Sequence, residues 1–201
     1  MHQLSDVELY GALRRLCEEA IRLYAEGSGS PAPERVIQVH CALELNKLGF
    51  VVTIEPTAKQ CQHWFGFREP SGLRVDLVIC DQSEDGNLAK AKPRTLVEFK
   101  MNPWNLDVDL ERVARLLKET GITFGYCLGC WCDSRPTAAQ SAIDYVAKRH
   151  QRAEAQSINI PLGNGETLYA AVIGVPVKAM GEKEPPAPME EPHSHYGPPG
   201  R

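Results

Sequence analysis

Three charged residues interrupt two apolar segments that have the composition of buried strands. Asp76 lies within Leu73-Arg-Val-Asp-Leu-Val-Ile79, and Glu98 and Lys100 close the segment Thr95-Leu-Val-Glu-Phe-Lys100. An ionised group buried without a partner is strongly destabilising, so charges in such segments usually serve a function. Two carboxylates beside an ammonium predict a site that holds a metal ion.

The spacing of these residues predicts that they converge. Side chains alternate between the two faces of a strand, so Glu98 and Lys100 share one face while Phe99 points to the other. If the two strands form an antiparallel hairpin, Asp76 and Glu98 are equally distant from its midpoint near Asn87. The two acids would then stand roughly opposite each other.

This constellation resembles the PD-(D/E)XK nuclease superfamily, in which a strand aspartate precedes a second strand bearing Glu-x-Lys or Asp-x-Lys. Position 75 is Val here, where the family name has Pro. The resemblance covers roughly half of the chain, from Pro33 to Trp131. It implies a restriction-endonuclease-like α/β fold, a mixed central sheet flanked by helices with the core order helix, three strands, helix, strand. The first helix of the chain would be an addition to that core.

The resemblance also implies an activity, which is hydrolysis of phosphodiester bonds by a divalent-metal-dependent endonuclease with DNA as the favoured substrate. Mg²⁺ prefers oxygen ligands, so Asp76, Glu98 and the main-chain carbonyl of Phe99 would hold it, and Mn²⁺ should substitute. Lys100 would orient and polarise the attacking water. Glu34 opens a helix where many members of the family place an additional acid, although the helix dipole alone also favours a glutamate there.

Two other hypotheses stay open. Lys100 and either acid could form a structural ion pair in a catalytically inactive nuclease-like fold that binds nucleic acid or a protein. The second hypothesis is a zinc-stabilised binding protein, suggested by Cys127-Leu-Gly-Cys-Trp-Cys132. In a strand Cys127 and Cys130 point to opposite faces, so Cys130 and Cys132 would need Cys61 and His63 to complete a tetrahedral site.

Hydrophobic periodicity and turn residues predict the elements that must position these groups. We expect helices over 4–26, 33–48, 106–120 and 137–152, and strands over 50–55, 73–80, 95–100, 122–132 and 168–175. An irregular aromatic segment at 56–72 and a polar hairpin loop at 81–94 connect the motif strands. The domain organisation follows as an N-terminal helix and linker (1–29), a nuclease-like domain (30–179) and a disordered proline-rich tail (180–201).

Composition and charge set wider limits. The chain has 201 residues and a formal net charge of −4, which argues against a protein that coats nucleic acid electrostatically. Local phosphate contacts remain available, or else a solvated surface, from basic residues of the hairpin loop and the following helix: Lys90, Lys92, Arg94, Arg112, Arg115 and Lys118. Seven cysteines without an export signal predict reduced thiols and the cytoplasm, and no membrane span is expected. A homodimer would place two active sites so that both DNA strands are cut.

Overall fold

Alternating apolar residues build a mixed sheet whose two faces are covered by helices. The computed structural model describes residues 4–66, 75–81 and 90–178. The helices are α1 (Asp6–Ser28), α2 (Glu34–Lys47), α3 (Ala58–Phe65), α4 (Leu106–Thr120) and α5 (Pro136–Arg149). The strands are β1 (Phe50–Ile54), β2 (Leu77–Asp81), β3 (Lys92–Lys100), β4 (Phe124–Asp133), β5 (Glu154–Pro161) and β6 (Thr167–Lys178).

The order of strands across the sheet is β1-β2-β3-β4-β6-β5. The parallel pair is β3 and β4, which α4 connects as a crossover helix, and the other neighbouring strands are antiparallel. Helices α1 and α2 cover one face of the sheet, while α4 and α5 cover the other. The predicted α/β class, with a mixed sheet between helices, is therefore confirmed.

Helix α1 is part of this core. Its buried apolar row packs with α2 and the sheet, and Tyr10 stacks on Tyr126 of β4 with the ring centroids 5.1 Å apart. Arg94 of β3 holds the start of the helix against the sheet through an ion pair with Asp6 at 2.8 Å. The helix also runs through the predicted linker as far as Ser28 and ends at Gly29, whose φ of 69° suits glycine.

Four segments differ from the predictions. The second strand begins at Leu77 rather than at residue 73, because Asp76 forms a bend before it. Helix α3 replaces the irregular aromatic segment and is started by a capping box between Thr57 and Gln60. Strand β3 begins at Lys92, so Lys92 and Arg94 lie in the strand and not in the loop. Strand β5 was not predicted, since its burial pattern contains only two fully buried residues.

Some expectations concern residues outside the described ranges. These are the disordered tail over 180–201, the last part of the aromatic segment (67–72) and the centre of the hairpin loop near Asn87. In the part of the chain that the structure describes, the longest and most apolar helices still fall short of what a membrane crossing needs.

Gly125 sets how closely α4 approaches the sheet. A Cβ at this position of β4 would lie 2.7 Å from Cγ1 of Val113 and 3.1 Å from the carbonyl oxygen of Leu96. Both distances are shorter than ordinary van der Waals contact, and the second involves backbone. The absence of a side chain at Gly125 therefore allows α4 to lie directly against β3 and β4.

We expect Gly125→Ala to lower the free energy of unfolding by about 1–3 kcal/mol, because the added methyl group overpacks the α4 interface. Urea unfolding followed by circular dichroism measures the change. Gly163→Ala is the matched control, since a Cβ at that exposed turn position meets nothing within 4 Å. Equal stability of the two variants would show that α4 can move away from the sheet at no cost.

Candidate active site

The hairpin register places the two predicted acids side by side. Leu77 of β2 pairs with Val97 of β3, so the next step along the ladder brings Asp76 opposite Glu98. Asp76 Oδ2 accepts a hydrogen bond of 2.6 Å from the main-chain N–H of Phe99, which fixes the bend residue against β3. The structure thus brings together the acids that the sequence analysis paired.

Glu98 is buried on the face of the sheet that α4 covers. Its side chain is 7% exposed, and its Oε1 accepts a charged hydrogen bond from the guanidinium of Arg112. Oε2 is buried and has no hydrogen-bond partner among the residues that the structure describes. A buried acceptor without a donor is rare in folded proteins and indicates a place for a further electropositive group.

Asp109 is a member of the site that sequence reasoning missed. This acid of α4 is 6% exposed, lies 3.1 Å from Lys100 Nζ and accepts a 2.9 Å hydrogen bond from Arg112. Helical periodicity in the sequence could have identified it, because Asp109 falls on the buried face of α4 between Leu106 and Val113. An acid on an otherwise apolar helix face needs a partner in the same way as an acid in a strand.

The acids influence each other's protonation. Burial raises the pKa of Asp76 to about 6, opposed by the hydrogen bond from Phe99 and reinforced by the charge of Glu34. Burial also raises the pKa of Glu98 to about 8, and the nearby Asp76 charge acts in the same direction while Arg112 opposes it. Crowded carboxyl groups of this kind are characteristic of sites that bind cations or perform acid–base chemistry.

Lys100 is held as a charged ammonium. Burial alone would lower the pKa of Lys100, but pairing with Asp109 and the nearby charges of Glu98 and Glu34 raises it above its ordinary value. Lys100 is therefore a hydrogen-bond donor and a positive charge rather than a free base in this state. Its neighbour Phe99 points to the opposite face, as predicted, and is buried there in the core.

The burial of Glu98 predicts an unusual pH dependence for the metal-free protein. Between the ordinary pKa of 4.5 and the folded value of about 8, native Glu98 keeps a proton that the unfolded chain has released. The native state then binds more protons, so the free energy of unfolding falls as pH rises through this window and levels off above it. Asp76 acts with the same sign between 3.8 and about 6.

Glu98→Gln isolates the contribution of Glu98 protonation to stability, because glutamine cannot titrate but can still accept the hydrogen bond from Arg112. With chelator present, the unfolding free energy of the wild type minus that of the variant should fall by about 1.4 kcal/mol per pH unit within the window. Urea unfolding at several pH values measures this difference. A difference that stays constant across this window would mean that pairing with Arg112 outweighs burial and keeps Glu98 ionised in the native state.

The remaining predicted acid lies at the edge of the site. Glu34 is the first residue of α2 and is partly buried, and its charge is close enough to raise the pKa of both Asp76 and Lys100. By contrast, Glu55, the residue that follows β1, pairs with Arg35 at 2.8 Å on the exposed surface. Glu34 is thus positioned to act on the site electrostatically.

The basic residues suggested as phosphate contacts differ in their surroundings: some are held in ion pairs, some are exposed, and one lies in the site. Arg94 is held in ion pairs with Asp6 and Asp81, and Arg115 lies on the exposed side of α4, 3.9 Å from Glu119. Arg112 belongs to the site itself through Glu98 and Asp109. The other three, Lys90, Lys92 and Lys118, are exposed. Arg112 is therefore the basic residue that the geometry associates with the acids.

The four proposed zinc ligands are not brought together. Cys61 of α3 packs on the α4 face of the sheet, whereas Cys130 and Cys132 of β4 pack on the α1 face. Cys127 and Cys130 do lie on opposite faces, as the strand pattern predicted. Among the residues described, no three histidine, cysteine, aspartate or glutamate side chains are arranged as a ready-made metal site.

The chemistry of the acids nevertheless suits a divalent cation. Arg112 bridges Glu98 and Asp109, so a guanidinium and not empty space separates these carboxyl groups. The unpartnered Oε2 of Glu98 and the adjacent carboxyl of Asp76 remain as oxygen donors for a hard cation. These carboxyl oxygens are of the type that Mg²⁺ and Mn²⁺ prefer as ligands.

Comparisons of the chain with protein-family models, with curated proteins and with solved structures found no significant match. Its function must therefore be inferred from the geometry of the site.

Proposed function

We propose that the chain is a divalent-metal-dependent nuclease that hydrolyses phosphodiester bonds, with DNA as its favoured substrate. The observation that carries this proposal is the pairing of Asp76 with Glu98 across the hairpin, with Lys100 on the same strand and the same face as Glu98. Burial of this group favours catalysis, because charges act more strongly where water is excluded.

Asp76 and Glu98 are the residues that would hold Mg²⁺ or Mn²⁺, with the carbonyl of Phe99 as a further oxygen. When bound, such a cation supplies Lewis acidity towards a water molecule and the phosphate oxygens. In hydrolysis the water oxygen forms a bond to phosphorus while the ester P–O bond breaks. The departing oxygen then gains a proton, and the water loses one to solvent.

Lys100 would donate hydrogen bonds to a phosphate oxygen or to the attacking water. Asp109 at 3.1 Å keeps its ammonium charged and holds it on the face that also carries Glu98. Asp109 is thus a positioning residue, which acts through Lys100 rather than on substrate. Glu34 would add negative charge at the rim of the site and support the cation from α2.

The order of elements supports the finer fold assignment. From α2 to β4 the chain runs helix, three strands, helix, strand, apart from the short α3 inserted between β1 and β2. This is the order that the resemblance to the PD-(D/E)XK superfamily implies, and we assign the chain to a restriction-endonuclease-like fold on that basis. We also place the protein in the cytoplasm, because all seven of its cysteines are free thiols.

The second candidate is a nuclease-like fold that binds nucleic acid or a protein without cutting. The observation in its favour is the ion-pair network, in which Lys100 and Arg112 already neutralise much of the negative charge. In this case the site would be structural, and its removal would leave binding intact.

Incubation of the purified protein with supercoiled plasmid and with single-stranded DNA tests the proposal. We expect nicking in Mg²⁺ or Mn²⁺, none with chelator, and recovery when the metal is restored. Asp76→Asn purified in parallel identifies a contaminating nuclease, because a contaminant would be equally active in both preparations. If the wild type neither cleaves DNA nor binds Mn²⁺ in calorimetry, the non-catalytic candidate is favoured.

A further inference from the structure

We propose that Arg112 is a built-in cation that occupies the carboxylate cluster of the metal-free protein and binds the scissile phosphate once a metal ion has entered. This inference rests on the proposed nuclease function and names the residue of the same site that recognises the substrate. It assigns Arg112 two successive partners, first Glu98 and then a phosphodiester.

The starting position of Arg112 is fixed by two acids. Its Nη2 donates to Glu98 Oε1 and, at 2.9 Å, to Oδ1 of Asp109 three residues earlier on α4. The acids are more than nine-tenths buried, whereas the Arg112 side chain is 26% exposed. The guanidinium therefore reaches from the surface onto buried carboxyl groups, in the manner of an exchangeable cation.

The network is incompletely satisfied among the residues that the structure describes. Among the described residues, Glu98 Oε2, Asp109 Oδ2 and the Nε of Arg112 are buried without a hydrogen-bond partner, although Asp109 Oδ2 lies 3.1 Å from the ammonium of Lys100. A network that serves only stability would be expected to pair such an acceptor and donor, because each unsatisfied buried polar atom is destabilising. Glu98 Oε2 is then an acceptor left for a cation, and the Nε of Arg112 is a donor left for an oxyanion.

A metal ion and Arg112 compete for Glu98. Two cations on one carboxyl group repel each other, so a metal held by Asp76 and Glu98 weakens the contact between Arg112 and Glu98. Asp109 keeps the guanidinium tethered at the site during this exchange. The planar fork of arginine matches the oxygens of a phosphodiester, which makes a phosphate the natural second partner.

Calorimetric titration of Mn²⁺ without DNA tests the first half of the inference. We expect Arg112→Gln to bind Mn²⁺ roughly tenfold more tightly than the wild type, because a competing positive charge has been removed. The same variant should cleave plasmid DNA about tenfold or more slowly, because a phosphate ligand is lost. Arg115→Gln removes the same charge from the exposed side of the same helix and should alter neither quantity appreciably.

Arg112→Lys is a second variant, and its Mn²⁺ affinity and cleavage rate test the inference even if Arg112→Gln folds poorly. Lysine keeps the charge but lacks the fork, so Mn²⁺ affinity should remain close to that of the wild type while cleavage slows. A purely structural Arg112 predicts weaker Mn²⁺ binding and a lower melting temperature in both variants, and that result overturns the inference. If the wild type binds Mn²⁺ and cleaves but Arg112→Gln binds no more tightly, only the role of Arg112 fails. If the wild type binds no Mn²⁺, the proposed function fails with it.

Discussion

Asp76→Asn is expected to reduce metal-dependent cleavage by at least about 10²-fold while leaving the protein as stable as the wild type. The variant loses the negative charge that pairs with Glu98 to hold the cation. Asparagine has the same shape, and its Oδ1 can accept the hydrogen bond that Phe99 donates to Asp76 in the structure. The bend before β2 should therefore persist.

The expected stability of Asp76→Asn follows from the buried environment of this residue. Burial raises the pKa of Asp76 to about 6, so keeping this group ionised near neutral pH is unfavourable for folding. A neutral amide places no charge in the buried site, so the free energy of unfolding should stay the same or rise. Lost activity with unchanged or higher stability is the pattern expected of a residue kept for function.

Plasmid nicking rates and urea unfolding measure the two effects on one preparation. Asp144→Asn is the matched control, because Asp144 lies on the exposed surface of α5 and hydrogen-bonds Gln140. It should change neither rate nor stability. Full cleavage by Asp76→Asn would show that another site performs the reaction, and loss of folding would show that Phe99 requires a carboxylate acceptor.

The pairing of Asp76 with Glu98 could be predicted because it depends on strand periodicity alone. From Leu77 to Ile79 the ladder with β3 runs without a shift, and its pairs are equally distant from position 87, so the assumed midpoint gives the correct partners for the acids. A register shift lies between Ile79 and Cys80, between the acids and the turn, so the pairs nearer the turn no longer centre on that position. A bulge between the acids and the shift-free part of the ladder would have moved one of them to the opposite face.

Arg112 was predicted only as one of six candidate phosphate contacts, and Asp109 was not predicted, because their placement beside Glu98 is tertiary. Their distance from Glu98 depends on how closely α4 packs on the sheet, and Gly125 of β4 determines that approach. Sequence periodicity gives the buried face of a helix, but it does not give which strand residue the face meets. The sequence therefore indicated one half of the site, and the packing of α4 supplies the other.

The elements that were missed carry weak local signals. Strand β5 buries Ile158 and Ile160 and is otherwise mostly exposed, as suits an edge strand. Helix α3 has only 8 residues, a length at which an isolated helix is unstable in water. Its capping box and the packing of Trp64 and Phe65 against the core stabilise it, and that packing cannot be read from a short aromatic segment.

Phe99→Ala is expected to lower the free energy of unfolding by about 3–5 kcal/mol, the largest change in stability that we predict. The side chain is 1% exposed and packs in the core between the sheet and the α1–α2 layer. Truncation removes a large apolar surface and leaves a cavity that rigid neighbouring strands fill poorly. Since domains of this size are stable by about 5–15 kcal/mol, the variant should be marginal but measurable.

The loss should extend to the site, because Glu98 and Lys100 flank Phe99 on the same strand. Without the contact that Phe99 makes with the α1–α2 layer, β3 can shift. Cleavage should therefore fall in Phe99→Ala even under conditions where the variant is folded. Phe99→Leu keeps most of the volume and should cost about 1 kcal/mol with activity near that of the wild type. Val108→Ala truncates a side chain that is 70% exposed and should change stability by less than about 0.5 kcal/mol. If urea unfolding gave Phe99→Ala the same stability as Val108→Ala, Phe99 could not be the anchor that holds the acidic face of β3 in place.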